Sequence, residues 1–249
     1  MKISIITVCY NSVVTLPDTI KSICSQSYTE IEYIIIDGDS KDGTQQVASE
    51  YKNIINIFVS EKDRGIYDAM NKGLSLATGD IIGLLNADDF YADCDVLQKV
   101  METFSDSTID ACYSDLQYVD QVDTSKIVRY WKSEPYQKGM FERGWMPPHP
   151  TFFVRKKIYE QYGKFNLSFK IAADVELLTR FIVKYEIKCK YLPILSVKMR
   201  MGGTTNKSIS NIVKQNMEIL RALKINGLKV SLLFPIYKLI NRIPQFFRR

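Results

Sequence analysis

Two adjacent carboxylates, Asp88 and Asp89, end the apolar run Ile81 to Leu85. A run of that length suits a strand buried on both faces, and two like charges at its end repel unless both reach water or a cation sits between them. A hard divalent ion with oxygen ligands, Mn²⁺ or Mg²⁺, turns that repulsion into binding, and such ions commonly bring phosphates with them. The plainer alternative is that the pair opens the next helix, where negative charge suits the macrodipole. Three other apolar runs also end in polar clusters: Tyr10-Asn11-Ser12 after Ile3 to Cys9, Asp37-Gly38-Asp39-Ser40 after Ile31 to Ile36, and Asp63-Arg64-Gly65 after Ile54 to Val59. Further along, the single histidine lies in Pro147-Pro148-His149-Pro150, and Asp174 stands just before the helix-periodic stretch Val175 to Tyr185. Asp174 there can act as a general base or merely cap the helix.

The elements that must hold these groups read as strand, polar loop, helix, four times within about 90 residues. That repeat predicts an α/β fold with a parallel sheet and crossover helices, in which ligands bind outside the carboxyl ends of the strands. Helices are expected from Leu16 to Gln26, after Thr44 to about Tyr51, and from Ile66 to Ala77. No Gly-x-Gly-x-x-Gly follows the first strand, which disfavours a dinucleotide-binding domain. Beyond Phe90 the pattern predicts a helix over Asp93 to Phe104 and strands at Ile109 to Tyr113, Gln117 to Val119, Lys126 to Trp131 and Thr151 to Val154. A long active-site loop spans Tyr136 to Pro150, a helix runs from Val175 to Tyr185, and the chain beyond Ser208 is mostly helical.

Five stretches in order resemble glycosyltransferase family 2 over roughly residues 1 to 200. They are Ser4 to Asn11, Ile36 to Thr44, Gly65 to Gly73, Leu85 to Asp89, and Ala172-Ala173-Asp174. Met70 stands where the family's Ala-Arg-Asn-x-Gly has Arg, and the metal motif reads Ala-Asp-Asp rather than Asp-x-Asp. The resemblance implies a GT-A fold with a mixed, mostly parallel sheet. It also implies inverting transfer of a sugar from a nucleotide diphosphate donor, dependent on Mn²⁺ or Mg²⁺. By position it assigns Asp174 as general base, Asp37 to the base of the nucleotide, Asp88 to the ribose and Asp89 to the metal, with Asp88 and His149 as further metal candidates. Thr7, Tyr10, Asn11, Asp39, Arg64, Asp68 and Lys72 complete the donor side. A carboxylate at Asp37 can accept N3–H of uracil or N1–H of guanine, so a UDP-sugar is expected first and a GDP-sugar second. The competing readings are a nucleotidyltransferase, which would normally carry a Gly-rich basic loop after the first strand, and an inactive nucleotide-sugar-binding protein.

Composition narrows the setting. The chain is 46% hydrophobic and 24% charged, ordinary for a globular protein. Its formal net charge is +5, too small to argue for nucleic acid. No acidic residue follows Glu218, whereas seven basic ones do; removing those seven from +5 leaves −2 over the first 220 residues. The expected organisation is a catalytic domain over 1–205, its nucleotide-sugar half over 1–90 and its acceptor half over 91–205, followed by a basic amphipathic tail over 206–249. From Leu228 that tail alternates apolar residues with Lys229, Lys238, Arg242, Arg248 and Arg249, and Pro235 and Pro244 divide it. It suits the headgroup layer of an anionic membrane, so the protein is expected in the cytoplasm, peripheral at the inner face of the cell membrane, beside a glycan or polyprenyl-linked acceptor. The five cysteines lack metal spacing and read as buried thiols in a reducing compartment, and no signal peptide is expected.

Overall fold

The apolar runs form the strands of one sheet. The computed structural model describes residues 1–202, 209–231, 234–240 and 243–246. Strands β1 (Ile3–Cys9), β2 (Ile31–Asp37), β3 (Ile57–Ser60) and β4 (Ile81–Leu84) are mutually parallel in the order β3-β2-β1-β4. Helices α1 (Leu16–Cys24), α2 (Thr44–Glu50) and α3 (Ile66–Leu76) connect them. The sheet continues through β8 (Phe153–Arg155) to β6 (Ala111–Val119), β9 (Cys189–Arg200) and β5 (Asp89–Tyr91), and β7 (Ile127–Trp131) hairpins onto β6. β8 runs antiparallel to both β4 and β6, so the second half makes the sheet mixed. The remaining helices are α4 (Val96–Thr103), α5 (Lys156–Tyr162), α6 (Ala173–Leu178), α7 (Ile209–Ile225) and α8 (Phe234–Ile240).

Alternation along the strands builds a core on each face of the sheet. Ile3 and Ile5 of β1 and Ile35 of β2 pack with Leu16 and Ile20 of α1 and Val96 and Val100 of α4. Ile6, Val8, Ile34 and Ile36 pack on the other face with Met70 and Leu74 of α3, α6, and Ile219, Ala222 and Leu223 of α7. Gly73 makes the close approach of α3 possible: a Cβ there would lie 2.4 Å from Cγ2 of Ile6.

Several expectations change. Residues 111–119 form one strand rather than two, because Asp115 is buried with partners of its own. It accepts from Ser133 N at 2.7 Å, from the Tyr130 hydroxyl at 2.8 Å and from the Tyr191 hydroxyl at 2.9 Å. The Asp88-Asp89 pair does not open a helix: Asp89 begins β5, which pairs with β9. The helix expected from Val175 begins at Ala173 and passes at Thr179 into a π-helical stretch ending at Lys184. Cys24, expected on a buried face, is exposed, as is Cys94. The proposed 205/206 boundary lies outside the described residues, as do Leu232, Leu233, Arg242, Phe247, Arg248 and Arg249. Leu228 and Phe234 of the tail do not face outward; they are buried in the α3 and α6 core. Among the described residues no helix is long and apolar enough to cross a membrane.

Candidate active site

The loops after β1 and β2 are zipped together. Asn11 N donates to Ser40 Oγ at 2.8 Å, Ser12 N to Thr44 Oγ1 at 2.8 Å, and Lys41 N to Asn11 Oδ1 at 3.1 Å. Asn11 and Asp39 both sit at positive φ, 49° and 65°, a conformation non-glycine residues adopt where the surroundings enforce it. Tyr10 is left 67% exposed above them. Asp37 lies beneath. Both of its oxygens are taken, by Ser40 N at 3.0 Å, by Ser60 Oγ at 2.6 Å and by the Ser40 hydroxyl, and it has no solvent exposure. Its position therefore departs from the expected contact with the nucleotide base: Asp37 holds the loop that presents Asp39. Thr7 is likewise fully buried, accepting from the Tyr33 hydroxyl at 3.2 Å, and so lies inside the sheet rather than on the donor surface.

The cations expected on the donor side are engaged by carboxylates. Arg64 donates to Asp68 at 3.1 Å, and Asp68 also accepts Arg64 N at 3.0 Å. Those two interactions hold the Asp68 carboxyl below the usual carboxylate range. Lys72 bridges Glu61 at 2.8 Å and Asp63 at 2.5 Å.

At the end of β4 the electrostatics are opposite. Asp89 has no exposure, and burial, reinforced by the neighbouring Asp88, raises its carboxyl well above the usual range. Asn86 Nδ2 donates to Oδ2 at 3.3 Å, but Oδ1 is buried with no hydrogen-bond partner. Burial also raises Asp88. The two carboxylates do not both reach water: Asp89 is fully buried and Asp88 half-buried. What the structure has instead is an orphaned carboxylate oxygen beside a second carboxylate, and a hard cation would satisfy it. Arg200, which the sequence reading passed over, closes this corner. It donates to Asp88 O at 2.9 Å and to the Asp18 carboxylate, and its guanidinium stands 5.0 Å from the Phe90 ring centre. Among the described residues, no three His, Cys, Asp or Glu side chains are placed to share a metal. Asp88, Asp89 and His149 therefore do not form a three-ligand set.

His149 belongs to another grouping. The turn His149–Thr151 packs against both β4 and α6. The imidazole stands edge-on to Phe165, centroids 5.6 Å apart. Burial lowers its pKa while Asp174 acts in the opposite sense. Asp174 is in the first turn of α6 and makes no capping bond to the helix. Instead the Tyr67 hydroxyl of α3 meets Asp174 Oδ1 at 3.1 Å and Ile171 O at 2.9 Å. Burial and Asp174 push the Tyr67 phenol well up, so it remains a donor. Trp145 packs among Tyr113, Tyr136 and Phe141. Tyr67 lies within the stretch Gly65 to Gly73, but its partner Asp174 is 107 residues away, beyond any local pattern.

Comparison with known proteins places the chain in a family. A family model described as Glycosyl transferase family 2 matches residues 4–163. A PGL/p-HBAD biosynthesis glycosyltransferase of Mycobacterium bovis is 28% identical over 207 residues, 82% of this chain and 78% of its own length. An uncharacterized glycosyltransferase of Mycobacterium tuberculosis is 30% identical over 204 residues, 81% and 75% of the two chains. S. aureus TarS 1–349 in complex with UDP superposes with a TM-score of 0.66 at 17% identity, over 95% of this chain and 68% of that one; the chain spans 41% of the longer TarS structure. The mannosyltransferase PcManGT from Pyrobaculum calidifontis, solved with GDP-Man and Mn²⁺, gives a TM-score of 0.66 at 17% identity, over 95% and 68%. At those identities the structural likeness is one of fold, and the family match carries the assignment: the chain belongs to glycosyltransferase family 2 and is a glycosyltransferase with a GT-A type fold.

Proposed function

We propose that this enzyme transfers a sugar, with inversion, from a UDP- or GDP-sugar to a hydroxyl of a glycan or lipid-linked glycan in surface polysaccharide synthesis. The observation that carries the reading is the orphaned, buried Oδ1 of Asp89 beside Asp88, at the strand end where a diphosphate would lie. A divalent ion, Mn²⁺ or Mg²⁺, supplies neutralisation of the charge that develops on the departing nucleoside diphosphate. Asp89 would hold it with Asp88, the rest of its shell coming from donor oxygens and water. Tyr10, Asn11 and Asp39 wall the nucleotide. Asp174, oriented by the Tyr67 hydroxyl, takes the proton of the acceptor hydroxyl as its oxygen attacks the anomeric carbon. One bond forms as the carbon–diphosphate oxygen bond breaks, so the configuration inverts without a covalent enzyme intermediate. UDP in the TarS complex and GDP-Man in PcManGT support the choice of donors.

The test is release of nucleoside diphosphate from UDP-glucose, UDP-N-acetylglucosamine and GDP-mannose with Mn²⁺, with and without EDTA. Metal-dependent release from one of them is expected, as is a loss of ~10²–10⁴ in rate for Asp174→Asn with donor binding kept. Wild-type turnover in excess EDTA would sink the metal reading, and near-normal turnover by Asp174→Asn the base.

We also propose peripheral attachment to the cytoplasmic face of an anionic membrane. With Leu228 and Phe234 taken into the core, the exposed apolar side chains among the described residues beyond Leu228 are Tyr237, Leu239, Ile240 and Phe246, beside exposed Lys229. Such a face suits the headgroup layer. Leu239→Ser with Ile240→Ser is expected to weaken co-sedimentation with anionic vesicles; undiminished binding would rule this surface out.

A further inference from the structure

Resting on the reading of Asp174 as the base, we propose that Glu218 of α7 is a positioning residue for it. Glu218 is the last acidic residue of the chain, set in an otherwise basic segment. Its carboxylate accepts three consecutive backbone N–H groups: Lys170 N at 3.0 Å, Ile171 N at 2.8 Å and Ala172 N at 3.0 Å, all on Oε2. Lys170 and Ile171 precede α6 and Ala172 is its N-cap residue, so these three donors lie outside the intrahelical hydrogen-bond pattern. No side chain of α6 itself caps them. Glu218 takes them from 46 to 48 residues away in sequence, and the last of them, Ala172, stands two residues before Asp174.

The segment 165–172 is irregular, so its own backbone does not fix where Asp174 stands. It is gripped from two sides. From α3, Asn71 bonds both Phe165 N and Phe165 O at 2.9 Å, and Tyr67 reaches Ile171 O and Asp174. From α7 come Glu218 and, one turn on, Arg221, which donates to Ser168 Oγ at 3.2 Å with its guanidinium 4.7 Å from the Phe169 ring centre. α7 is itself anchored by buried Ile219, Ala222 and Leu223. Helix α7 is thus one jaw of the clamp on the base, beyond residues 4–163 that match the family model. A base displaced by about 1 Å can cost on the order of 10²-fold in rate, so the clamp bears on turnover rather than on donor binding.

The test is a mutant cycle, read on whichever of UDP-glucose, UDP-N-acetylglucosamine and GDP-mannose the wild-type protein hydrolyses with Mn²⁺. Glu218→Ala is expected to lower kcat roughly 10- to 100-fold with donor KM within about threefold, and Glu218→Gln, which keeps one acceptor oxygen, to fall between. On an Asp174→Asn background neither should lower kcat further. Wild-type kcat in both Glu218 variants, a raised KM at unchanged kcat, or an equal fold-loss on the Asp174→Asn background would each overturn the proposal. An active Asp174→Asn protein would instead overturn the base assignment, which separates the two failures. Should Glu218→Ala not fold, Glu218→Gln completes the same cycle. Hydrogen exchange gives a readout without turnover: amides of 170–176 should exchange at least about tenfold faster in Glu218→Gln while those of α3 and β1 do not change, and unchanged protection at 170–176 would equally overturn it.

Discussion

Glu32 and Asp89 are both buried carboxylates of one sheet, at opposite ends of its parallel strands, and the sheet treats them in opposite ways. Glu32, near the start of β2, accepts from Ser4 Oγ at 2.5 Å, Thr78 N at 2.7 Å and Lys2 Nζ at 3.2 Å, and from the Thr78 hydroxyl. Burial pushes its pKa up, yet these donors outweigh that and hold it at about 2. Asp89, past the end of β4, has one oxygen with no partner at all and a carboxyl raised by burial. A fold that satisfies every lone pair at one end of a sheet and leaves one unsatisfied at the other has placed a cost at the second end. In a native protein such a cost is most often kept where a ligand repays it. The difference marks Glu32 as satisfied by the fold itself and leaves Asp89 as the candidate for a ligand.

The largest effect that could break this contrast comes from Asp89→Asn. The substitution keeps the shape and removes an uncompensated charge. Metal-dependent donor turnover is expected to fall by roughly 10³-fold, the scale of several kcal/mol of lost charge stabilisation. Thermal stability without metal should hold or rise, because the buried charge is gone. Mn²⁺ with UDP should raise the Tm of the wild-type protein and leave the variant unmoved. A variant that melts early and still turns over would make Asp89 structural, and the contrast would collapse.

Glu32→Gln should do the reverse, with a smaller effect. Turnover at neutral pH is expected to stay near wild type, while stability falls by about 1–3 kcal/mol as donors lose a charged acceptor. The sign with pH follows from the depressed pKa. The stabilisation by Glu32 is fully present above its ordinary value of 4.5 and is lost as pH falls from there through about 2. The gap in Tm between wild type and variant should therefore be widest near pH 7 and close by about pH 2. A gap independent of pH would mean that packing, not charge, is what Glu32 contributes.

The same contrast explains what could be read before the structure. The first four strand–loop–helix units were legible because each strand is a continuous apolar run and each helix has a periodic face. β5 and β9 were not. β5 is three residues long, and β9 interrupts its apolar pattern with Pro193, Lys190 and Lys198, so only their pairing makes them strands. Asp88, Asp89 and Asp174 could be named from type and position, but not their electrostatic state, which depends on what surrounds them. Asp37 was assigned to the ligand because a carboxylate at a strand end looks the same whether or not three local donors already occupy it. Arg200, Tyr67 and Glu218 act on partners between 46 and 182 residues away, beyond any local pattern.

The smallest expected effect sharpens the comparison within the site itself. Tyr67 offers one hydroxyl hydrogen to two acceptors, Asp174 Oδ1 and Ile171 O. Tyr67→Phe removes it while preserving the ring, which stacks on Phe165 with centroids 5.4 Å apart. Asp174 then loses one orienting bond, worth about 0.5–1.5 kcal/mol, or somewhat over tenfold in rate at most. The backbone ahead of Asp174 keeps its other supports, Asn71 at Phe165 and Glu218 at residues 170–172. A drop in kcat of roughly two- to tenfold, with donor KM unchanged, is therefore expected, well short of the loss from removing the Asp174 carboxylate. If Tyr67→Phe instead matches Asp174→Asn, the phenol does more than orient the base and takes part in moving the proton.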